Sequence, residues 1–292
     1  MRFLVTKATE CKFKDKGGNY YRFSLYDGEK DIEGIQWSPQ EDINYKGLEG
    51  EIIEVIGSID EYNGKQQVKV GKLGIIELPE EEKAKYIKAS KVPIDVMLSD
   101  FENYIEEIED EYLKSLVKTI IYGNSFIKEN FFELSAATKN HHVFVHGLLQ
   151  HTLETVKCAK TLWEISGRGD KDIVMAGALL HDVGKCYEYE KKGASYTRTK
   201  KGKLLGHISI GFSIVNAFAD SFYDNNGMND ESIDVREKFF KDVDAIGHVI
   251  LAHHGIKEWG SPVEPMTPEA AIVHFADNSI VQINVIADKM ES

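Results

Sequence analysis

The sequence predicts an α+β multidomain chain: a five-stranded, OB-like β-barrel followed by an all-α helical bundle. Three observations carry that prediction. Residues 1–76 alternate apolar and polar side chains at the two-residue period of strands. From Asp95 onward the apolar residues recur at the three-to-four-residue spacing of helices. All ten histidines lie between His141 and His274, so the two halves differ in chemistry as well as in period.

The elements follow in order. Tyr20–Tyr26 alternates as a strand and Asp27-Gly28 turns the chain. Asp31–Trp37 alternates again. Glu51–Gly57 and Gln66–Val70 follow, with the hairpin signal Asn63-Gly64 between them. Five short strands with Gly-rich turns in this length match the small OB barrel. Residues 77–93 read as a linker, charged at Glu80-Glu-Glu-Lys83 and closed by Val92-Pro93. Residues 94–292 form the helical domain. Phe101, Tyr104, Ile105 and Ile108 share one helix face, and Leu113, Leu116, Val117 and Ile120 another. Ser99-Asp100 reads as a helix start. Further helices are expected around 151–166, 172–181, 207–224 and 268–288.

A hydrophobic fraction of 42% in 292 residues with six prolines describes a folded chain. No apolar run approaches the roughly 18 residues of a membrane span, and the N-terminus reaches charge too soon for a signal-peptide core. Cys11, Cys158 and Cys186 are scattered and odd in number, which points to a reducing, cytoplasmic setting. The net charge of −13 argues against broad, non-specific nucleic-acid binding. The barrel segment is nearly balanced, with 11 basic and 13 acidic side chains, so a local groove for a polyanion remains open.

His151, His181-Asp182, His207, His253-His254 and Asp277 each lie on or beside an apolar helical stretch. Such a placement points the polar group into the core, where burial without a partner is costly. One divalent cation or a pair removes that cost. Imidazole with carboxylate suits manganese, iron, cobalt or zinc. Lys185 lies three residues after Asp182, within reach on one helical turn. His248 and His274 read as core or surface histidines, and Cys186 as an ordinary buried cysteine.

The order His151, His181-Asp182, Asp277 resembles the H…HD…D signature of the HD-domain metal-dependent phosphohydrolases. Around it, Gly147-Leu-Leu-Gln-His-Thr152, Leu179-Leu-His-Asp-Val-Gly-Lys185, Gly202-Lys-Leu-Leu-Gly-His-Ile208, His253-His-Gly255 and Gly260-Ser-Pro262 are similar to the YhaM-type 3′–5′ exoribonucleases. That family joins an OB domain to an HD domain, and the likeness covers nearly the whole chain. One departure is His146, where the family tends to carry glycine. The resemblance implies two divalent ions, with manganese favoured. His151, His181, Asp182 and Asp277 would hold the first. Asp182 would bridge to the second, completed by His207 with His253 or His254. The resemblance also makes Asp182 and Lys185 the expected catalytic pair, with Lys185 stabilising the phosphate electrostatically.

The same resemblance implies 3′–5′ hydrolysis of single-stranded RNA, with DNA as a further substrate, to nucleoside 5′-monophosphates. His141, His142, Arg198 and Lys203 are the expected substrate contacts near the site, and Tyr21, Phe23 and Trp37 the expected base contacts on the barrel. Single-stranded nucleic acid is the expected partner, RNA before DNA, with no membrane. Self-association is compatible with the sequence, although nothing in it specifies an interface. Two rival readings are a phosphohydrolase of small nucleotides and a non-catalytic single-strand-binding protein.

Overall fold

A computed structural model describes all residues except 15–16, 87–89, 91, 137–144, 193–194, 226–231 and 292. The chain divides into two compact units: Met1–Lys88 with Lys191–Thr197, and Ala89–Glu190 with Arg198–Ser292.

The first unit holds β1 (Arg2–Lys12), β2 (Asn19–Tyr26), β3 (Asp31–Gln36), β4 (Ile52–Tyr62) and β5 (Lys65–Ile75). They close in the order β1-β2-β3-β5-β4, antiparallel except for β3 beside β5. The parallel pair arises because residues 37–51 cross the barrel, through a 3-10 turn at Tyr45–Gly47, before β4 begins. Asn63 and Gly64 both have positive φ, as a two-residue hairpin matched to strand twist requires. Phe3, Val5, Phe23, Leu25, Ile53, Val55, Val68 and Val70 fill the interior. Gln36 is fully buried and satisfied: the Tyr45 hydroxyl donates to its Oε1 (2.7 Å), and its Nε2 donates to the Gly71 carbonyl (3.2 Å). A single turn, α1 (Glu80–Lys83), follows the barrel.

The second unit contains α2 (Ile94–Glu106), α3 (Glu111–Tyr122), α4 (Ser125–Glu133), α5 (Gly147–Ser166), α6 (Lys171–Leu180), α7 (Lys185–Glu188), α8 (Lys200–Asn225), α9 (Ile233–Ala252) and α10 (Pro268–Glu291). Asp110, Asn124, Asp170 and Ser232 cap α3, α4, α6 and α9 by accepting first-turn N–H groups. Each such cap contributes about 1 kcal/mol. Pro93 precedes α2 and Asp95 lies in its first turn, so Ser99-Asp100 falls inside the helix rather than at its start. Between α7 and α8 runs a hairpin of β6 (Tyr189–Lys192) and β7 (Ser195–Arg198), whose residues Lys191–Thr197 are counted with the first unit. Its four-residue strands are too short for periodicity to reveal.

Helix α6 is the axis of this unit, and every residue from Ile173 to Leu180 is buried. Helices α5, α9 and α10 pack around it. Its C-terminus therefore delivers His181 and Asp182 into the interior. By length and composition, Pro268–Ala287 of α10 passes for a membrane span (mean hydropathy 1.3). Here that helix packs against α5, α6 and α9 and turns Asp277 inward.

Candidate metal centre

Five helices bring the polar cluster together. His151 comes from α5, His181 and Asp182 from the end of α6, His207 from α8, His253 and His254 from the end of α9, and Asp277 from α10. His151, His181, Asp182 and His253 are at most 2% exposed, and His207 and Asp277 less than 10%.

Asp182 sits at the middle, and its two oxygens face different partners. Oδ2 lies 3.3 Å from His181 Nε2, 3.4 Å from His151 Nε2 and 2.6 Å from Lys185 Nζ. Oδ1 lies 3.4 Å from His207 Nε2 and 3.7 Å from His253 Nε2. Asp277 Oδ1 is 3.1 Å from His151 Nε2. Two sets of donors are close enough to share an ion: His151, His181 and Asp182 on one side, and His207, His253 and His254 on the other, each set within 4.8 Å.

The rings are oriented from behind. His181 Nδ1 donates to the Ala178 carbonyl and His253 Nδ1 to the Ile250 carbonyl, both at 2.7 Å. Each is the residue that ends its helix, so it takes a carbonyl from the last turn that lacks a helical partner. His254 Nδ1 donates to the Trp259 carbonyl (2.7 Å), and His207 Nδ1 to Glu188 Oε2 (2.6 Å). An oxygen can only accept, so each of these four rings carries a proton on Nδ1 and turns Nε2 toward the centre, where its lone pair can meet a ligand. Asp182 Oδ1, His207 Nε2 and His253 Nε2 are buried with no hydrogen-bond partner among the described residues. Buried acceptor atoms of this kind fit a cation, and the mixed nitrogen and oxygen donors fit a divalent transition metal.

The electrostatics agree with the geometry. Burial opposes ionisation of Asp182, but Lys185, the His181 ring and hydrogen bonds from His151 and His181 hold its carboxyl well below the usual range. Asp277 is likewise depressed: burial is outweighed by the His151 hydrogen bond and charge. Burial also opposes charge on His151, yet hydrogen bonds to Asp182 and Asp277 push its pKa up to about 9. Burial and the neighbouring His254 and His181 rings lower His253 far below an ordinary histidine, so it stays neutral.

Two glycines make the arrangement possible. A Cβ on Gly184 would lie 1.9 Å from the His207 carbonyl oxygen, so only glycine lets the turn after Asp182 meet α8. Gly206 has φ 69° and ψ 154°, a kink in α8 immediately before His207. The kink lets the His207 N–H donate to Glu188 Oε2 (3.2 Å).

Glu188 is the contributor that sequence reasoning missed. In Cys186-Tyr-Glu-Tyr-Glu190 nothing distinguishes it from Glu190. His146 has φ 67°, the left-handed region that favours glycine, and its Nδ1 pairs with the Phe132 carbonyl (2.5 Å). His274 Nδ1 donates to the His253 carbonyl (2.7 Å), and His248 Nε2 accepts from the Met266 N–H (3.0 Å). Arg198 is exposed on one side and donates through Nε to Glu188 Oε1 (3.1 Å). Lys203 is exposed. His141 and His142 lie outside the described residues.

On the barrel the expected base contacts divide. Phe23 is 3% exposed and belongs to the core, so its ring cannot receive a base. Tyr21, on the same side of β2, packs against that core and stacks on Tyr45 with ring centroids 3.8 Å apart. Alternation leaves the inward set undecided. Arg22 and Ser24 decide it, because they share the outward side with Tyr20. Trp37 is half exposed, and with Tyr20 (4.9 Å) and Phe13 (5.9 Å) it forms an aromatic cluster. Beside Trp37 lies a groove of about 380 Å³ lined in part by Ser38, Ser58 and Lys69.

Comparison with known proteins gives this geometry a family. The HD domain model matches residues 148–280, the span from α5 into α10. The chain is 32% identical to the 3′-5′ exoribonuclease YhaM of Bacillus licheniformis over 296 residues, covering 99% of this chain and 87% of that one. It is 29% identical to the 3′-5′ exoribonuclease YhaM of Bacillus subtilis over 293 residues, with the same coverage. A solved structure, the HD domain of the L. monocytogenes phosphodiesterase PgpH, overlaps 55% of this chain and 74% of that one at 16% identity and a TM-score of 0.30. With nearly its whole length matched to these relatives, the chain belongs to the YhaM family of 3′–5′ exoribonucleases.

Proposed function

We propose that this protein is a divalent-metal-dependent 3′–5′ exoribonuclease that hydrolyses single-stranded RNA to nucleoside 5′-monophosphates. The observation that carries the reading is the division of Asp182, with Oδ2 toward His151 and His181 and Oδ1 toward His207 and His253. A carboxylate so placed suits two ions, His151, His181, Asp182 and Asp277 holding one and Asp182, His207, His253 and His254 the other. Divalent ions at such a site supply an activated water and neutralise charge on the phosphoryl oxygens. Manganese is the first candidate, with iron, cobalt and zinc compatible with the same donors.

The chain's own groups have separate tasks. Asp182 stays ionised because Lys185 and the imidazoles hold it so. Lys185 Nζ brings a positive charge to the edge of the centre, where it stabilises charge developing on the phosphate. The rings of His181, His207, His253 and His254 need no reorientation, since their outer nitrogens are already committed. On the barrel, Trp37, Tyr20 and Phe13 offer faces for base stacking and Lys69 a charge for the backbone, the combination that holds a single strand without reading its sequence.

End-labelled RNA digested in the presence of manganese tests this reading. A 3′ label is expected to leave as mononucleotide from the first turnover, while a 5′ label stays on a steadily shortening strand. A 5′ label released first, or digestion of mononucleotide diesters alone, contradicts it. The latter result would favour a phosphohydrolase of small nucleotides.

A further inference from the structure

We propose that Glu188 is a positioning residue for the His207 side of the metal centre, fixing the tautomer and aim of the His207 ring and setting how tightly that side holds its ion. Among the rings whose outer nitrogen has been traced, His181, His253 and His254 lean on backbone carbonyls, and His207 alone leans on a carboxylate. A carbonyl partner comes with the fold, whereas a carboxylate is a chosen side chain. Its charge also strengthens the hydrogen bond and makes the ring a better electron donor.

Glu188 is built for this task. It is 1% exposed, and both its oxygens are engaged. Oε2 accepts from the His207 backbone N–H and from Nδ1, which holds the residue at its backbone and at its ring. Oε1 accepts from Arg198 Nε, which offsets the cost of a buried charge. A Cβ on Gly202 would come within 2.7 Å of Glu188 Cγ, so the first turn of α8 closes directly over the side chain. The kink at Gly206 presents the His207 N–H to the same oxygen. Hairpin strand β7 supplies Arg198, the second anchor of the carboxylate. The inference rests on the divalent-cation reading, so its test begins without metal.

Nitrogen-15 NMR of histidine-labelled, metal-free protein reads the tautomer directly, with His207 assigned by His207→Asn. In the unaltered protein His207 is expected to carry its proton on Nδ1, and in Glu188→Ala that signature is lost. Manganese calorimetry is then expected to show two binding events. In Glu188→Ala one of them weakens about 10–100-fold and the other is unchanged. Glu188→Gln preserves the packing but must turn an N–H toward Arg198 or His207, so the same event weakens there too. The proposal is overturned if the His207 signature is the same in all three proteins, or if both binding events fall together in the variants. A single binding event in the unaltered protein, with the His207 signature still lost in Glu188→Ala, contradicts the two-ion reading and leaves the positioning role standing.

Discussion

The barrel and the helical unit handle their functional side chains in opposite ways. On the barrel, Trp37 is half exposed and packs with the partly buried Tyr20 and Phe13 in a cluster apart from the barrel core. In the helical unit the functional groups are the core: imidazoles and carboxylates occupy buried positions, and the rings of His181, His207, His253 and His254 are oriented by partners behind them. The contrast follows from the chemistry proposed for each. Stacking on a base needs an accessible face and tolerates imprecision. Holding a metal needs fixed donors in a dry setting. Substitutions on the barrel surface should therefore alter affinity and spare the fold, whereas substitutions in the centre alter chemistry.

The largest expected effect is at Asp182. Asp182→Ala removes the group common to both sides of the centre, several kcal/mol of catalysis, so hydrolysis of short oligoribonucleotides should fall by at least about 10³-fold. Circular dichroism should show the helices intact. Undiminished hydrolysis would break the account of the centre. Next comes a contrast on the barrel between Phe23 in β2 and Trp37 just after β3. Phe23→Ala should cost about 3–5 kcal/mol in denaturant unfolding of the barrel, as a buried ring does. Trp37→Ala should cost less than about 0.5 kcal/mol, as surface changes do. The same Trp37→Ala should weaken binding of a single-stranded oligonucleotide by about 1–3 kcal/mol in a fluorescence titration.

A smaller effect concerns protons. The His151 pKa is raised from the ordinary 6.5 to about 9. A raised pKa stabilises the metal-free fold fully below about pH 6.5, and that contribution is lost as pH rises through 9. A cation at His151 Nε2 must displace this proton. Manganese affinity should therefore climb by up to about tenfold per pH unit toward pH 9, with close to one proton released per ion on that side. Calorimetry at pH 8 in buffers of different ionisation enthalpy measures the release. The smallest effect is at His146. Both His146→Ala and His146→Gly lose the Phe132 hydrogen bond, but only alanine keeps the left-handed strain, so His146→Ala should be about 1 kcal/mol less stable than His146→Gly.

The two units were not equally legible in the sequence. The polar residues set into apolar helical runs announced the centre, because the cost of burying His151, His181, Asp182, His207, His253 and Asp277 leaves few alternatives. Their pairing through Asp182 was legible only through the family resemblance. Glu188 was invisible, since its role depends on a kink at Gly206 and a close approach at Gly202 that no local pattern encodes. On the barrel the period of two located β2 but not its inward side, and the stacking cluster depends on Phe13, which lies beyond the end of β1. Helix α4 was also hidden, because Phe131 and Phe132 are adjacent and both buried, which blurs the helical period. The Asn63-Gly64 turn was a local signal and fell where expected; Pro93 directly precedes α2, while the first compact unit extends to Lys88.

The central claim is that the metal centre performs the hydrolysis while the barrel surface selects a polymer. Its most direct test compares two substrates, a single-stranded oligoribonucleotide and a mononucleotide diester, in the full chain with manganese. The account predicts that Trp37→Ala lowers kcat/KM for the oligonucleotide by about 5–150-fold and leaves the mononucleotide diester unaffected, while Asp182→Ala removes hydrolysis of both. A Trp37→Ala protein that loses both activities equally, or keeps both in full, would contradict it.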